Sequence, residues 1–386
     1  MLKRVSVFAS VVALGLTASV ASAEPGVTGN KILLGQSAAF GGPASALGEG
    51  MYQGLMAAFQ EANANGGVHG RNIEIIKYDD GYEPDRAIAN TKKLIEEDQV
   101  FSLIGAVGTP TSKASQPIAT EANVPFVGPF TGAGFLRDPK NSNVINVRAT
   151  YDQETETWIK YLHDVQKKTK IAILYQDDGF GRVGLSGVNK AMEKRGIKLV
   201  AEGKYKRNTT AVKSALLDIR KADPDAVVMV GAYKPLAEFV KLARKLKMDP
   251  TFVTISFVGS KALSAELGDQ GEGVVISQVV PFPDDTSIGL VSDYHAALKA
   301  YDANLEPGFV SLEGYMVGKL TVAALDKAGK DLTREAFLNA VYGTGAFDLG
   351  GVTLTYGQGD NQGMDDVFLT VIQPDGSFKP ITELTN

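Results

Sequence analysis

Cysteine is absent from the chain. That excludes disulfides, thiolate nucleophiles and cysteine-ligated metals. The three histidines, His69, His163 and His295, are scattered and make no metal-ligand spacing. There is no G-x-S-x-G nucleophile elbow and no visible nucleophile–base set, so no enzymatic activity is expected. The acidic pairs Asp79-Asp80 and Asp284-Asp285 read as solvated or capping groups. Gly357–Gly363 (GQGDNQG) lacks the regular acidic spacing of a calcium loop and reads as a turn. Neither a cofactor nor a metal is expected. A basic excess is also missing: 39 Lys and Arg stand against 44 Asp and Glu, which argues against nucleic acid or anionic membrane surfaces as partners. Beyond the first 23 residues no stretch is long and apolar enough to span a bilayer.

What is present begins with residues 1–23, MLKRVSVFASVVALGLTASVASA. Lys3 and Arg4 form a basic start, Val5–Val20 is uncharged, and Ala21-Ser22-Ala23 is a small-x-small cleavage signature. The expectation is a secretory signal peptide cleaved after Ala23, with the remainder working outside the cytoplasm. That remainder is too long for one ordinary core and suits two domains.

Apolar β-rich runs then alternate with helical patterns. Four runs, Lys31–Gln36, Ile73–Tyr78, Val100–Val107 and Val124–Phe130, precede four more, Lys170–Gln176, Lys198–Tyr205, Ala226–Tyr233 and Thr251–Val258. Near-continuous apolar strands separated by helices predict parallel sheets covered on both faces. The two sets follow the same order, which predicts two similar doubly wound α/β lobes. The segment from Gly273 is too short for a third lobe, so the chain is expected to cross back and complete both. The expected lobes are 24–148 with 280–355, and 149–279 with 356–386. Ligands of open parallel sheets bind beyond the carboxyl ends of the strands, so the loops of two facing lobes would surround one cleft.

Gly179-Phe-Gly-Arg-Val-Gly184 matches a dinucleotide pattern, but Asp177 and Asp178 would repel a pyrophosphate, and it reads as a glycine-rich strand-to-helix turn. Gly108-Thr-Pro-Thr-Ser112 gathers three hydroxyls at a strand end before a helix expected near Lys113. Such a cluster suits a carboxylate, although plain capping is the alternative. Thr131 follows the same logic. Phe180, Tyr233 and Phe257 are aromatics at the ends of second-lobe strands, and one or two of them are expected to face the cleft.

Several pieces in sequence resemble the leucine/isoleucine/valine-binding protein family, the type I periplasmic solute-binding proteins of ABC importers. They are Asn65–Gly70 followed by IEIIKYDD, SLIGAVGTPTS, VPFVGPFTGA, YQDDGFGRVGLSGV, VGAYKPLAEFVKLAR and ISFVGSKAL. The resemblance implies two lobes joined by three crossovers, a periplasmic location, a monomer, and a membrane permease as partner. It implies an amino acid held in the cleft, its carboxylate on Thr109 and, less directly, Thr111 and Thr131. Phe180 and Tyr233 take the positions of the family's covering aromatics. The acid that usually holds the ligand ammonium is missing, because that place reads Ile255-Ser256-Phe257. Asp177, Asp178 or Glu313 could replace it, or the ligand is an organic acid or amide rather than an amino acid. A role in sensing for a membrane receptor is the alternative to import.

Overall fold

The structure is a computed structural model that describes residues 24–382. The leader read in residues 1–23 lies outside the described residues.

The first sheet is built from β1 (Lys31–Ala38), β2 (Asn72–Asp79), β3 (Ser102–Ile104), β4 (Phe126–Val127) and β5 (Val144–Ile145), with α1 (Ser45–Ala64), α2 (Pro84–Glu96) and α3 (Thr109–Glu121) between them. Its strands are parallel in the order β2-β1-β3-β4-β5. After α4 (Tyr151–Ile159) the pattern repeats through β6 (Ile171–Gln176), α5 (Gly179–Glu193), β7 (Ala201–Tyr205), α6 (Lys213–Lys221), β8 (Ala226–Val230), α7 (Tyr233–Lys245), β9 (Thr251–Thr254), α8 (Ser260–Leu267) and β10 (Val275–Gln278). These strands lie in the order β7-β6-β8-β9-β10, the same arrangement as the first sheet. Every residue of β8 is buried, as a strand covered on both faces requires.

The remaining chain serves both halves. The helices α9 (Gly289–Tyr301) and α10 (Phe309–Ala328) pack against α1, and α11 (Arg334–Thr344) packs on α10. A small hairpin follows, β11 (Ala346–Asp348) with β12 (Thr353–Thr355). Then β13 (Phe368–Ile372) and β14 (Phe378–Ile381) extend the second sheet, antiparallel, beyond β10. The backbone thus passes between the two halves three times: after β5, after β10 and after β12. The first and third passages are tied together. The Asn146 amide donates to the Asn361 carbonyl (2.8 Å), and the Asn146 carbonyl accepts from Gly363 N (2.9 Å) and from the Tyr356 hydroxyl (2.9 Å).

The packing of α1 on α10 depends on Gly54, where a methyl group would meet the Ser311 carbonyl and the Tyr315 amide. Several strands are shorter than their apolar runs. In the fourth strand of the second lobe the ladder stops at Thr254, and Ser256–Val258 form a tight 3-10 turn. The helix expected near Lys113 starts at Thr109, because Gly108 (φ 99°) turns the chain at the strand end and Pro110 fits the first turn.

Candidate functional site

The loops at the carboxyl ends of the two sheets meet face to face, and polar contacts bridge them. Ala46 N donates to the Tyr233 hydroxyl (3.4 Å), and Gln176 Nε2 donates to the Tyr82 hydroxyl (3.3 Å). Asn208 Nδ2 donates to the Gly81 carbonyl (3.0 Å) and to Glu83 Oε1 (2.7 Å), while Arg207 Nη2 reaches Glu83 Oε2 at 2.6 Å. The two lobes are therefore closed on one another.

On the first-lobe side, Thr109 opens α3 and Thr131 follows β4. Both are buried, and their hydroxyls lie 2.7 Å apart. Thr111 turns away from them: its hydroxyl donates back to the carbonyls of Val107 and Gly108 inside its own helix turn. A rear support stands behind Thr131, whose carbonyl accepts from Arg137 Nη1 at 2.9 Å. Burial, and then the like charge of Arg148, pull the Arg137 guanidinium down to about 9.

Aromatic side chains fill the space between the lobes. The Phe257 ring lies 4.7 Å from Phe180, 5.4 Å from Phe130 and 5.8 Å from Tyr82 between centroids, and Tyr151 lies 5.4 Å from Phe180. All five are essentially buried. Tyr82 holds a left-handed backbone (φ 62°), uncommon for a bulky residue. Asp80 secures that turn, since its Oδ1 accepts from Tyr82 N at 2.8 Å. Asp80 Oδ2 accepts from the Ser37 hydroxyl at 3.0 Å. Burial, helped by the neighbouring Asp79 charge and only partly offset by those two bonds, pushes the Asp80 carboxyl up to about 6. The larger surface hollows lie elsewhere: one of about 660 Å³ is lined by Tyr161, Lys168 and Arg244 and touches none of these residues.

The two aspartates of the second lobe have separate tasks. Asp178 is the N-cap of α5, accepting from Phe180 N at 2.9 Å, and it also takes Gln176 Nε2 (2.7 Å) and Arg207 Nη1 (3.0 Å). Asp177 is exposed and pairs with Arg182 and Lys204. The place after β9 that lacks a carboxylate in sequence acquires one in space. Glu154, from α4, accepts from the Ser256 amide and hydroxyl, both at 2.9 Å, and from the Ser277 hydroxyl. Arg148 Nη2 contacts Glu154 at 3.3 Å and Nη1 faces Glu313 at 3.6 Å, all three side chains being buried. Burial, with the Glu154 charge adding to it and Arg148 opposing, pushes the Glu313 carboxyl up to about 7. The Arg148 guanidinium also lies 4.9 Å from the Phe130 ring centroid.

Among the residues singled out from sequence, Thr109, Thr131, Phe180 and Phe257 come together at one place, with Tyr233 in a cross-lobe bond at the rim. Ser256 is committed to Glu154. Tyr82, Gln176, Arg207, Arg148 and Glu154 escaped the sequence reading. Only Tyr82 carried a local signal, as the residue closing an Asp-Gly turn at a strand end.

Comparison with known proteins agrees with this architecture. The profile described as periplasmic binding protein matches residues 31–377. The Leu/Ile/Val-binding protein homolog 7 of Brucella abortus (strain 2308) is 25% identical over 332 residues, covering 82% of this chain and 81% of the relative. The leucine-, isoleucine-, valine-, threonine-, and alanine-binding protein of Pseudomonas aeruginosa is 22% identical over 290 residues, 75% of this chain and 76% of its own. A crystal structure of a possible leucine/isoleucine/valine-binding protein from Rhodopirellula baltica SH 1 superposes with a TM-score of 0.88 at 37% identity, covering 92% of this chain and 98% of that one. With a matching profile over nearly its whole length and two like lobes closed on one another, this chain belongs to the periplasmic binding protein family, in its leucine/isoleucine/valine-binding branch.

Proposed function

We propose that this protein is the solute-binding component of an ABC importer and captures a small carboxylate-bearing solute by closure of its lobes, 24–148 with 280–355 over 149–279 with 356–386. The observation that carries this reading is the pairing of a buried hydroxyl couple, Thr109 and Thr131, with an aromatic wall contributed largely by the opposite lobe. The carboxylate docks first on the hydroxyls. Thr109 sits at the start of α3, where backbone N–H groups and the helix dipole favour negative charge. Phe180 and Phe257 then cover the apolar body of the solute, and the closed form, held by bonds such as Glu83 to Arg207, is what a permease would recognise. Removing that apolar surface from water supplies about 25 cal/mol per Å², while the hydroxyls supply orientation. The leader expected in residues 1–23 would deliver the protein to the periplasm.

Thermal unfolding of the purified protein against organic acids, amides and amino acids tests the reading. A solute at a hundred times its dissociation constant should add about 2.7 kcal/mol to stability. If no carboxylate in such a panel raises the melting temperature, the proposal fails.

A further inference from the structure

We infer that Arg148, Glu154 and Glu313 form a catch across the hinge, released when Glu313 gives up a proton, so that closure strengthens in mildly acidic surroundings and slackens in alkaline ones. The inference rests on lobe closure as the mode of capture proposed above. Arg148 lies at the first passage between the halves and is anchored to the first lobe. Its carbonyl accepts from Arg137 Nη2 at 2.9 Å, and Arg137 Nη1 holds the carbonyls of Thr131 and Ala133 beyond β4. Glu154 is anchored to the second lobe, by the Ser256 amide and hydroxyl after β9 and by the Ser277 hydroxyl in β10. The 3.3 Å contact of Arg148 Nη2 with Glu154 Oε1 therefore crosses from lobe to lobe. Glu313 reaches the same guanidinium from α10, which packs on α1 of the first lobe, and stands 3.6 Å from Nη1. All three side chains are buried.

Two carboxylates on one guanidinium crowd negative charge into a buried place. Three donors surround Glu154, whereas Glu313 meets Arg148 at a distance too long for a charge-assisted bond. A proton arriving at the cluster therefore settles on Glu313. Burial raises its carboxyl from 4.5 to about 7, with Glu154 adding to the rise and Arg148 and Arg137 opposing it. Further along α10, Tyr315 and Lys319 turn to Glu61 of α1 instead. Opening admits water, and the carboxyl returns toward 4.5. A group whose value is higher in the closed form takes up a proton on closing. Its support for closure is whole below pH 4.5 and is lost as pH rises through 7. With the proton on, Arg148 is left to Glu154 across the hinge. With the proton off, Glu313 divides the guanidinium and repels Glu154. Between pH 5.5 and 8.5 the ratio of closed to open protein should fall by up to roughly 30-fold. Glu83, held below its ordinary 4.5, does not titrate in that range.

The test is single-molecule energy transfer across the mouth of the cleft, with no solute added. The chain has no cysteine of its own, so Lys92→Cys on α2 and Lys213→Cys on α6, both exposed, place one dye on each lobe. The high-transfer, closed population of the parent should shrink from pH 5.5 to 8.5. Glu313→Gln, which keeps the shape of the protonated side chain, should hold the same closed fraction at both values. Glu313→Ala, a second uncharged variant, should also lose the response. Asp80 titrates in the same window, so Asp80→Asn is the control and should respond as the parent does. A parent whose closed fraction ignores pH overturns the inference. So does a response that survives both Glu313 variants, or one that Asp80→Asn abolishes. None of these results touches solute capture, which the thermal panel judges separately.

Discussion

Closure in this structure is held partly by a latch outside the aromatic cleft, and Glu83→Ala should loosen it. Glu83 stands on the first lobe and takes Arg207 at 2.6 Å and Asn208 at 2.7 Å from the second. Burial pushes the Glu83 carboxyl up, but the bonds from Arg207 and Asn208 outweigh it and hold it below the usual glutamate value of 4.5. The Glu83 side chain is 43% exposed and Arg207 21%, so solvent screens the pair. Two such screened contacts are worth about 1–2 kcal/mol together, not the several expected of a buried pair. The ratio of closed to open protein should therefore fall by about 5- to 30-fold, and the dissociation constant of a captured solute should rise by up to the same factor. Small-angle scattering should show a larger radius of gyration for the variant. Melting should change little, because each lobe keeps its own sheet and core. Since the carboxyl is depressed in the closed form, the latch is intact above pH 4.5 and weakens as pH falls through the lower, bound value. Acidification should thus open the parent and leave the variant unmoved. An unchanged radius with unchanged solute affinity would refute the assignment of closure energy to this contact.

Thr109→Ala should weaken solute binding by roughly ten- to a hundredfold, the worth of one hydrogen bond to a charged group, with little change in melting; calorimetry measures both. Gly54→Ala, a substitution that ordinarily favours a helix, should instead destabilise by about 1–3 kcal/mol in chemical denaturation, because the added methyl meets the α10 backbone. Asp80 is raised from 3.8 to about 6 in the folded protein, so its contribution to stability is fully present below about pH 4 and is lost as pH rises through 6. Asp80→Asn removes that loss, and the stability of the variant relative to the parent should improve by up to about 3 kcal/mol between pH 4 and 7, read from urea midpoints at each pH. Glu154→Ala should cost about 3–5 kcal/mol by leaving Arg148 buried with a weakened set of partners, which thermal melting would detect.

Local pattern determined the parts of this protein that repeat within a few residues. Apolar runs such as Ala226–Val230, alternating with helical spacing, were enough for parallel strands covered on both faces, because strand and helix periodicities are written in consecutive residues. The order of those runs, given twice, was enough for two like sheets. Position at a strand end was enough to bring Thr109, Phe180 and Phe257 to the cleft, since loops at the carboxyl ends of parallel strands converge whatever their sequence. Tertiary structure decided where charge goes. Glu154 supplies the carboxylate beside Ser256 from 102 residues away, and Arg207 reaches Glu83 across 124. No periodicity links such residues. Their pairing follows from how the lobes fold and close, and from the cost of leaving a buried charge unmet. The same reason turned Asp178 into a helix cap paired with Arg207 and left Asp177 outside, a difference that two adjacent aspartates cannot express in sequence.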